Sequence, residues 1–280
     1  MKVILSRKGF DSAWGGYPSP ILPNGKMISL PIPSDQDCDK YSDLKIDDGQ
    51  TYFDLMKQLE IKIRHNGSVC GLTKNTKCHF DPDIYRGSIK RSKNWKPCFG
   101  QINQAQVHLQ NEGVKKGDLF LFFGWFKQTV VKNGILQFDR SAPDLHIIWG
   151  YLQIGQTLQV NTTTKIPAWM RPHPHAKNED RKKNPTNTIY IARDKLSWDE
   201  NKSGAGVFSF DNSLVLTKDG MSKSRWDLPA LFKKVEISYH SAQSWTRRGY
   251  FQSAAIGQEF VIEDNDKVEN WAKQMFNADK

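Results

Sequence analysis

No apolar run in this 280-residue chain approaches the roughly 20 residues that carry a helix across a bilayer, which excludes a helical membrane span. Cysteine is scarce. The four present, at 38, 70, 78 and 98, never fall two to four residues apart, so zinc-knuckle spacing is missing even though His79 adjoins Cys78, and no metal is expected. Acid is also in short supply, with 30 Asp and Glu against 40 Lys and Arg and a net charge of +10. Such a balance bears on partners rather than fold and favours a polyanion. There is no P-loop, Gly-rich dinucleotide fingerprint, serine-hydrolase elbow, kinase motif set or internal repeat, so the familiar motif routes to an enzyme class are closed. Met1–Leu5 is apolar but Ser6-Arg7-Lys8 follows at once, leaving no signal-peptide apolar region. The expectation is a cytoplasmic protein with reduced thiols.

What the sequence does have is one strongly apolar stretch, 114–158. Its runs Leu119–Val131 and Leu145–Ile154 are dense in Phe, Trp, Val and Ile and predict two strands; Asn133-Gly134 signals a turn into a short third strand, Ile135–Phe138. Asp144 and His146 lie two apart, which on a strand puts both on one face, with Trp125 and Trp149 in the same sheet. A carboxylate, an imidazole and flat indoles at a sheet mouth would form a pocket for a planar ring. Thr51 and Asp54 begin an amphipathic helix, a second runs over Gln101–Glu112 with Ile102, Ala105 and Leu109 inward, and a third spans 265–278 from an Asp266/Glu269 start. Further strands are expected at Lys2–Ser6, Thr188–Ala192, Gly206–Phe210, Leu214–Thr217, Val235–Tyr239 and Glu259–Glu263. Together these predict one α+β domain over 1–280, with a central, mostly antiparallel sheet of open or barrel-like form and a few flanking helices.

Cations gather in four places. Arg7 and Lys8, with Asp11, end the first strand ahead of a loop rich in proline and glycine, either as ligand contacts or as a solvated turn. Arg86, Lys90, Arg91, Lys93 and Lys96 meet no acid in their own segment and interleave with Tyr85 and Trp95, which suits phosphate contact and base stacking, or merely a soluble loop. The long loop 161–187 carries Asn178, Arg181, Lys182 and Lys183 beside His173 and His175, whose imidazoles could bind metal, contact phosphate or transfer protons, or simply sit on a surface. Arg225 with Trp226, and then Trp245 with Arg247 and Arg248, offer a guanidinium beside a ring.

Blocks spread from Ser6 to Pro229 carry a resemblance: LSRKGFDSAWGGYPSPILPNGKMISLPIP, GDLFLFFGWF, DLHIIWGYLQIG, HPHAKN followed by NTIYIA, and SGAGVFSF followed by LVLTKDGMSKSRWDLP. The chain resembles the nucleotide modification associated domain 3 family. That resemblance implies a setting in phage and bacterial systems that hypermodify DNA bases, alongside other DNA-modification or restriction proteins. The positions matching its polar blocks are Arg7, Lys8, Asp11, Asp144, His146, His173, His175, Asn178 and Arg225. A Gly-Asp turn feeding an aromatic strand is also similar to the barrel of PUA and EVE-type base-binding domains.

The first functional expectation is therefore an enzyme that elaborates a base within DNA, flipping it between the indoles. His146 tuned by Asp144 would be the general acid or base, His173 and His175 would assist, and Arg7, Lys8 and Arg225 would hold phosphate. Trp95 and Trp125 with the remaining cations would contact nucleic acid; the sequence names no cofactor. The alternatives are a reader of modified bases in phage defence and an RNA-binding accessory protein stacking single strands on Tyr85 and Trp95.

Overall fold

The computed structural model of the protein describes residues 1–47 and 49–277. Its centre is a nine-stranded mixed sheet. The strands are β1 (Val3–Arg7), β2 (Ser19–Ile21), β3 (Cys98–Gln101), β4 (Leu119–Lys132), β5 (Ile135–Phe138), β6 (Leu145–Gln159), β7 (Thr188–Ala192), β8 (Ala205–Val207) and β9 (Glu259–Ile262). The main path runs β9-β1-β4-β6-β7-β3, with β2 and β5 on the far half of β4 and β8 on β6. β1 and β2 lie parallel to β4, and every other pairing is antiparallel.

β4 and β6 are the long, apolar pair that the composition of 114–158 demands. Leu119 through Phe123 are all fully buried, and burying such side chains stabilises the fold by about 1.5–3 kcal/mol each. The Asn133-Gly134 turn uses φ of 53° and 76°, the left-handed conformation those two residues tolerate best. Register shifts at Phe122/Phe123 and between Ile154 and Gln156 bend the sheet. As it curls, Phe99 of β3 packs on Phe120 and Phe122 of β4 at 5.1 and 5.4 Å, and Gln101 of β3 donates to Glu259 of β9 at 2.6 Å. The two ends of the path thus meet through side chains. Among the described residues no backbone ladder joins them, and no closed barrel is found.

Among the described residues five α-helices flank the sheet: α1 (Tyr52–Gln58), α2 (Asn103–Asn111), α3 (Pro174–Lys177), α4 (Glu179–Lys183) and α5 (Asp266–Gln274). α1 begins at the capping box of Thr51 and Asp54, and α5 at Asn265 rather than at Asp266, because the Asn265 side chain takes the N–H groups of Lys267 and Val268. The expected end of that last helix, at 278, lies outside the described residues. Leu214–Thr217 and Val235–Tyr239 make isolated bridges instead of strands. No helix among the described residues is long and apolar enough to cross a membrane.

Candidate active site

A cleft of about 580 Å³ opens where the end of β1, the 32–36 segment, the end of β3 and α3 approach one another. The residues on its wall come from distant parts of the chain. His79 and Asp81 stand two apart on a segment tied to Ile32 and to β3, where the Asp81 N–H turns back to the His79 carbonyl; both residues line the cleft while Phe80 packs into the apolar cluster around α1. The backbone N–H of Gly100 donates to both oxygens of Asp81, at 3.0 and 3.2 Å. His173 precedes Pro174, which restricts it to extended backbone and makes it the N-cap of α3. One turn then carries His175 onto Gly100, where only a glycine fits: a Cβ there would lie 2.3 Å from the imidazole.

Hydrogen bonds fix the rings. Asn187 donates its side-chain N–H groups to the carbonyls of Val160 and His175, so its Oδ1 must accept from Nδ1–H of His175 at 2.7 Å. His79 likewise gives its Nδ1–H to Asp37 at 3.0 Å. Both rings therefore leave Nε2 outside these hydrogen bonds, and Nε2 of His79 lies 3.8 Å from Oδ2 of Asp81. Asp37 is itself gripped by both terminal nitrogens of Arg181. His173 donates from Nε2 to Oδ1 of Asp81 at 3.0 Å. Burial pushes Asp81 upward, but the His173 hydrogen bond and the surrounding imidazoles outweigh it and hold the carboxyl at about 2. Burial lowers His175 to about 3, so the ring is neutral at pH 7. Ligand atoms of His79, Asp81 and His175 all lie within 4.8 Å of one another, close enough to hold one metal ion. The thiols of Cys78 and Cys98 are buried and pushed upward, so neither supplies a thiolate nucleophile.

The rim supplies charge and an aromatic surface. Arg7 donates to the carbonyls of Ala254 and Ala255, so its hydrogen bonds leave its charge uncancelled, whereas Lys8 is spent on buried Glu259 at 2.7 Å. Asp11 accepts from the N–H groups of Ala13 and Trp14, at 2.7 Å each, and so fixes a turn that holds Trp14 outward. Trp14 is the one exposed tryptophan among the described residues.

A family model for nucleotide modification associated domain 3 matches residues 2–263. The chain belongs to that family. No curated protein and no solved structure matches it. The description of the family connects this member with nucleotide modification.

Within this family member the sequence-derived candidates are scattered. His175, Arg7, Lys8 and Asp11 come together at the cleft, with His173 buried behind its wall on Asp81 and Asn178 capping α4 and donating to the carbonyl of Gln36. Asp144 and His146 lie elsewhere and do not bond to each other. Trp125 gives its indole N–H to Asp144, and Trp226, buried in the core, gives its own to Nδ1 of His146. Burial, then the charges of Arg7 and Lys223, lower His146 to about 3. Several cations expected to contact nucleic acid have partners in the fold. Arg91 grips Asp83, and Lys96, Lys182 and Lys183 pair with Asp194, Glu179 and Asp180. Arg181 is the clamp on Asp37, and Trp95 is buried with Arg86 over its ring. Arg225 lies over Tyr250, while Lys90, Arg247 and Arg248 are exposed. Sequence reasoning missed Asp37, Asp81, Asn187 and Trp14, and weighed His79 only as a neighbour of Cys78. The spacing His79-x-Asp81 repeats that of Asp144-x-His146 and His173-x-His175, and was the available signal.

The neutral state of His146 has a thermodynamic consequence. Its folded value lies below the unfolded value near 6.5, so it costs nothing above pH 6.5 and removes stability as pH falls toward 3. Between pH 7 and pH 5 that loss is about 2 kcal/mol, from about 1.4 kcal/mol per pKa unit. Denaturant melts at the two pH values should therefore differ less for His146→Gln, which keeps an acceptor for Trp226, than for the wild type. Equal differences would mean that the ring is not held neutral.

Proposed function

We propose that the protein is an enzyme that modifies a nucleobase in DNA, and that the cleft beneath Trp14 is where the base is held. The observation that carries this reading is the convergence of His79, Asp81 and His175 on one cleft wall in a chain of a nucleotide-modification family. A base inside a duplex is out of reach of such a wall, so the target is flipped out of the stack. Trp14 offers a face on which it or its neighbour stacks, Arg7 draws a phosphate toward the mouth, and the net charge of +10 steers the polyanion to the surface. The neutral His175 imidazole and the Asp81 carboxylate put acceptor atoms on the wall for the group transfer to a base, or hydrolysis of its substituent, that the reading requires.

The reading is tested by mass spectrometry of nucleosides from cells with the gene intact and deleted. Loss of a non-standard nucleoside on deletion supports the enzyme; unchanged nucleosides sink it in favour of a reader. Trp14→Ala should weaken binding to a duplex oligonucleotide by about 5- to 150-fold, from about 1–3 kcal/mol per stacked base, without lowering thermal stability. Unchanged anisotropy titrations would remove Trp14 from the interface.

A further inference from the structure

We infer that His79, Asp81 and His175 bind a single divalent first-row transition-metal ion at the wall of the cleft. The proposal deepens the reading above by naming what these side chains hold, and it concerns the protein without DNA.

Three features point beyond a chance cluster. The donor atoms lie within 4.8 Å of one another although the residues belong to segments almost a hundred positions apart. Each donor is also backed by a partner that aims it. Asp37 holds Nδ1 of His79, Asn187 holds Nδ1 of His175, and His173 with the Gly100 N–H holds Asp81, whose Oδ2 shares the Gly100 N–H and keeps a second lone pair for the site. Imidazoles that ligate metals commonly donate their other N–H to a carboxylate or carbonyl, which fixes the tautomer and raises basicity. Finally, all three residues line the cleft, so protein supplies one side of the coordination sphere and the other side faces the cavity. Three protein ligands with open positions mark a catalytic metal, whereas a structural one is closed by four.

The donor set narrows the ion. Two imidazole nitrogens and one carboxylate oxygen suit borderline ions such as Zn²⁺, Co²⁺ or Fe²⁺. Mg²⁺ and Ca²⁺ prefer all-oxygen sites, and soft ions need the thiolates that burial denies Cys78 and Cys98. The sequence criterion of paired cysteines could not find such a site, because none of its ligands is a cysteine.

Co²⁺ added to the full-length chain, first stripped with chelator, is the probe. The expected result is one Co²⁺ per chain, with visible d–d absorption and X-ray absorption that counts two imidazoles. Asp81→Asn and His175→Ala should each weaken binding by about a hundredfold or more, and Asp37→Asn, which removes no ligand, by about 10- to 100-fold. Each variant is checked by circular dichroism. If the variants fail to fold, the X-ray absorption of the wild type alone decides. A wild type that binds Co²⁺ no more tightly than folded His175→Ala, or a bound ion without two imidazoles, overturns the proposal. Loss of the nucleoside on gene deletion together with absent Co²⁺ binding would remove the metal and leave the modification reading standing.

Discussion

Asp81→Asn should cut the modified nucleoside in cellular DNA by about a hundredfold or more, the usual scale for removing a positioned acid–base or ligating group. The side chain is nearly enclosed. Its oxygens take the Gly100 N–H and the His173 Nε2–H, and they face Nε2 of His79. Asparagine matches the shape but replaces one acceptor oxygen with an NH₂ group, which must then meet a donor or turn toward the cleft. Either placement removes the negative charge around which the three imidazoles are arranged. Asp81 also pairs with the buried His173, whose proton affinity it raises, so the stability cost is that of breaking a buried pair, about 3–5 kcal/mol, and the loss counts as one of function only in a variant that the melt shows to be folded. Nucleoside mass spectrometry beside a thermal melt checks both halves. A folded variant with undiminished modification would contradict the placement of the site.

Arg91→Ala should destabilise the fold by about 3–5 kcal/mol, a large part of the 5–15 kcal/mol that separates most native proteins from their unfolded states. Both side chains of the Arg91–Asp83 pair are 4% exposed, and Arg91 also lies 4.4 Å over the Trp95 ring. Without the guanidinium, Asp83 stays buried with only the Trp95 N–H, at 3.4 Å, from a side chain. Asp83 exchanges backbone hydrogen bonds with Cys98 at the start of β3, the pairing that keeps Asp81 opposite Gly100. The damage should therefore reach the cleft. Lys90→Ala, one position away and exposed, should leave the melt unchanged and instead flatten the salt dependence of DNA binding. Denaturant melts separate the two roles: an Arg91→Ala protein as stable as the wild type would return Arg91 to the nucleic-acid surface.

Local signals in the sequence were reliable. The β4–β5–β6 meander, the Thr51/Asp54 capping box and the first strand all follow from neighbours within a few residues and stand in the structure near their expected places, although β6 runs through Gly155 to Gln159 instead of ending at Ile154. The curl of the sheet was not legible, since it rests on Phe99 finding Phe120 and on Gln101 reaching Glu259, 158 positions away. The same distinction divides the site. His173 and His175 could be seen as one locus because Pro174 holds them in register, but the residues that complete the cluster are far off in sequence, and cysteine spacing says nothing of a site built from histidine and aspartate. Asp144 and His146 met the local criterion equally well. What no strand periodicity could convey is that Trp125 and Trp226 would each occupy one of them. Runs of positive charge mislead for a related reason: the acids that hold Arg91 and Arg181 lie outside those runs, at positions 83 and 37.

The central claim is that modification takes place at the His175 cleft and not at the His146 pair. Nucleoside mass spectrometry of DNA from cells carrying His175→Ala or His146→Gln, with protein levels matched, tests it directly. The prediction is that His175→Ala loses the modified nucleoside as completely as gene deletion does, while His146→Gln retains it. Retention in His175→Ala with loss in a folded His146→Gln would move the chemistry to the sheet and contradict the claim.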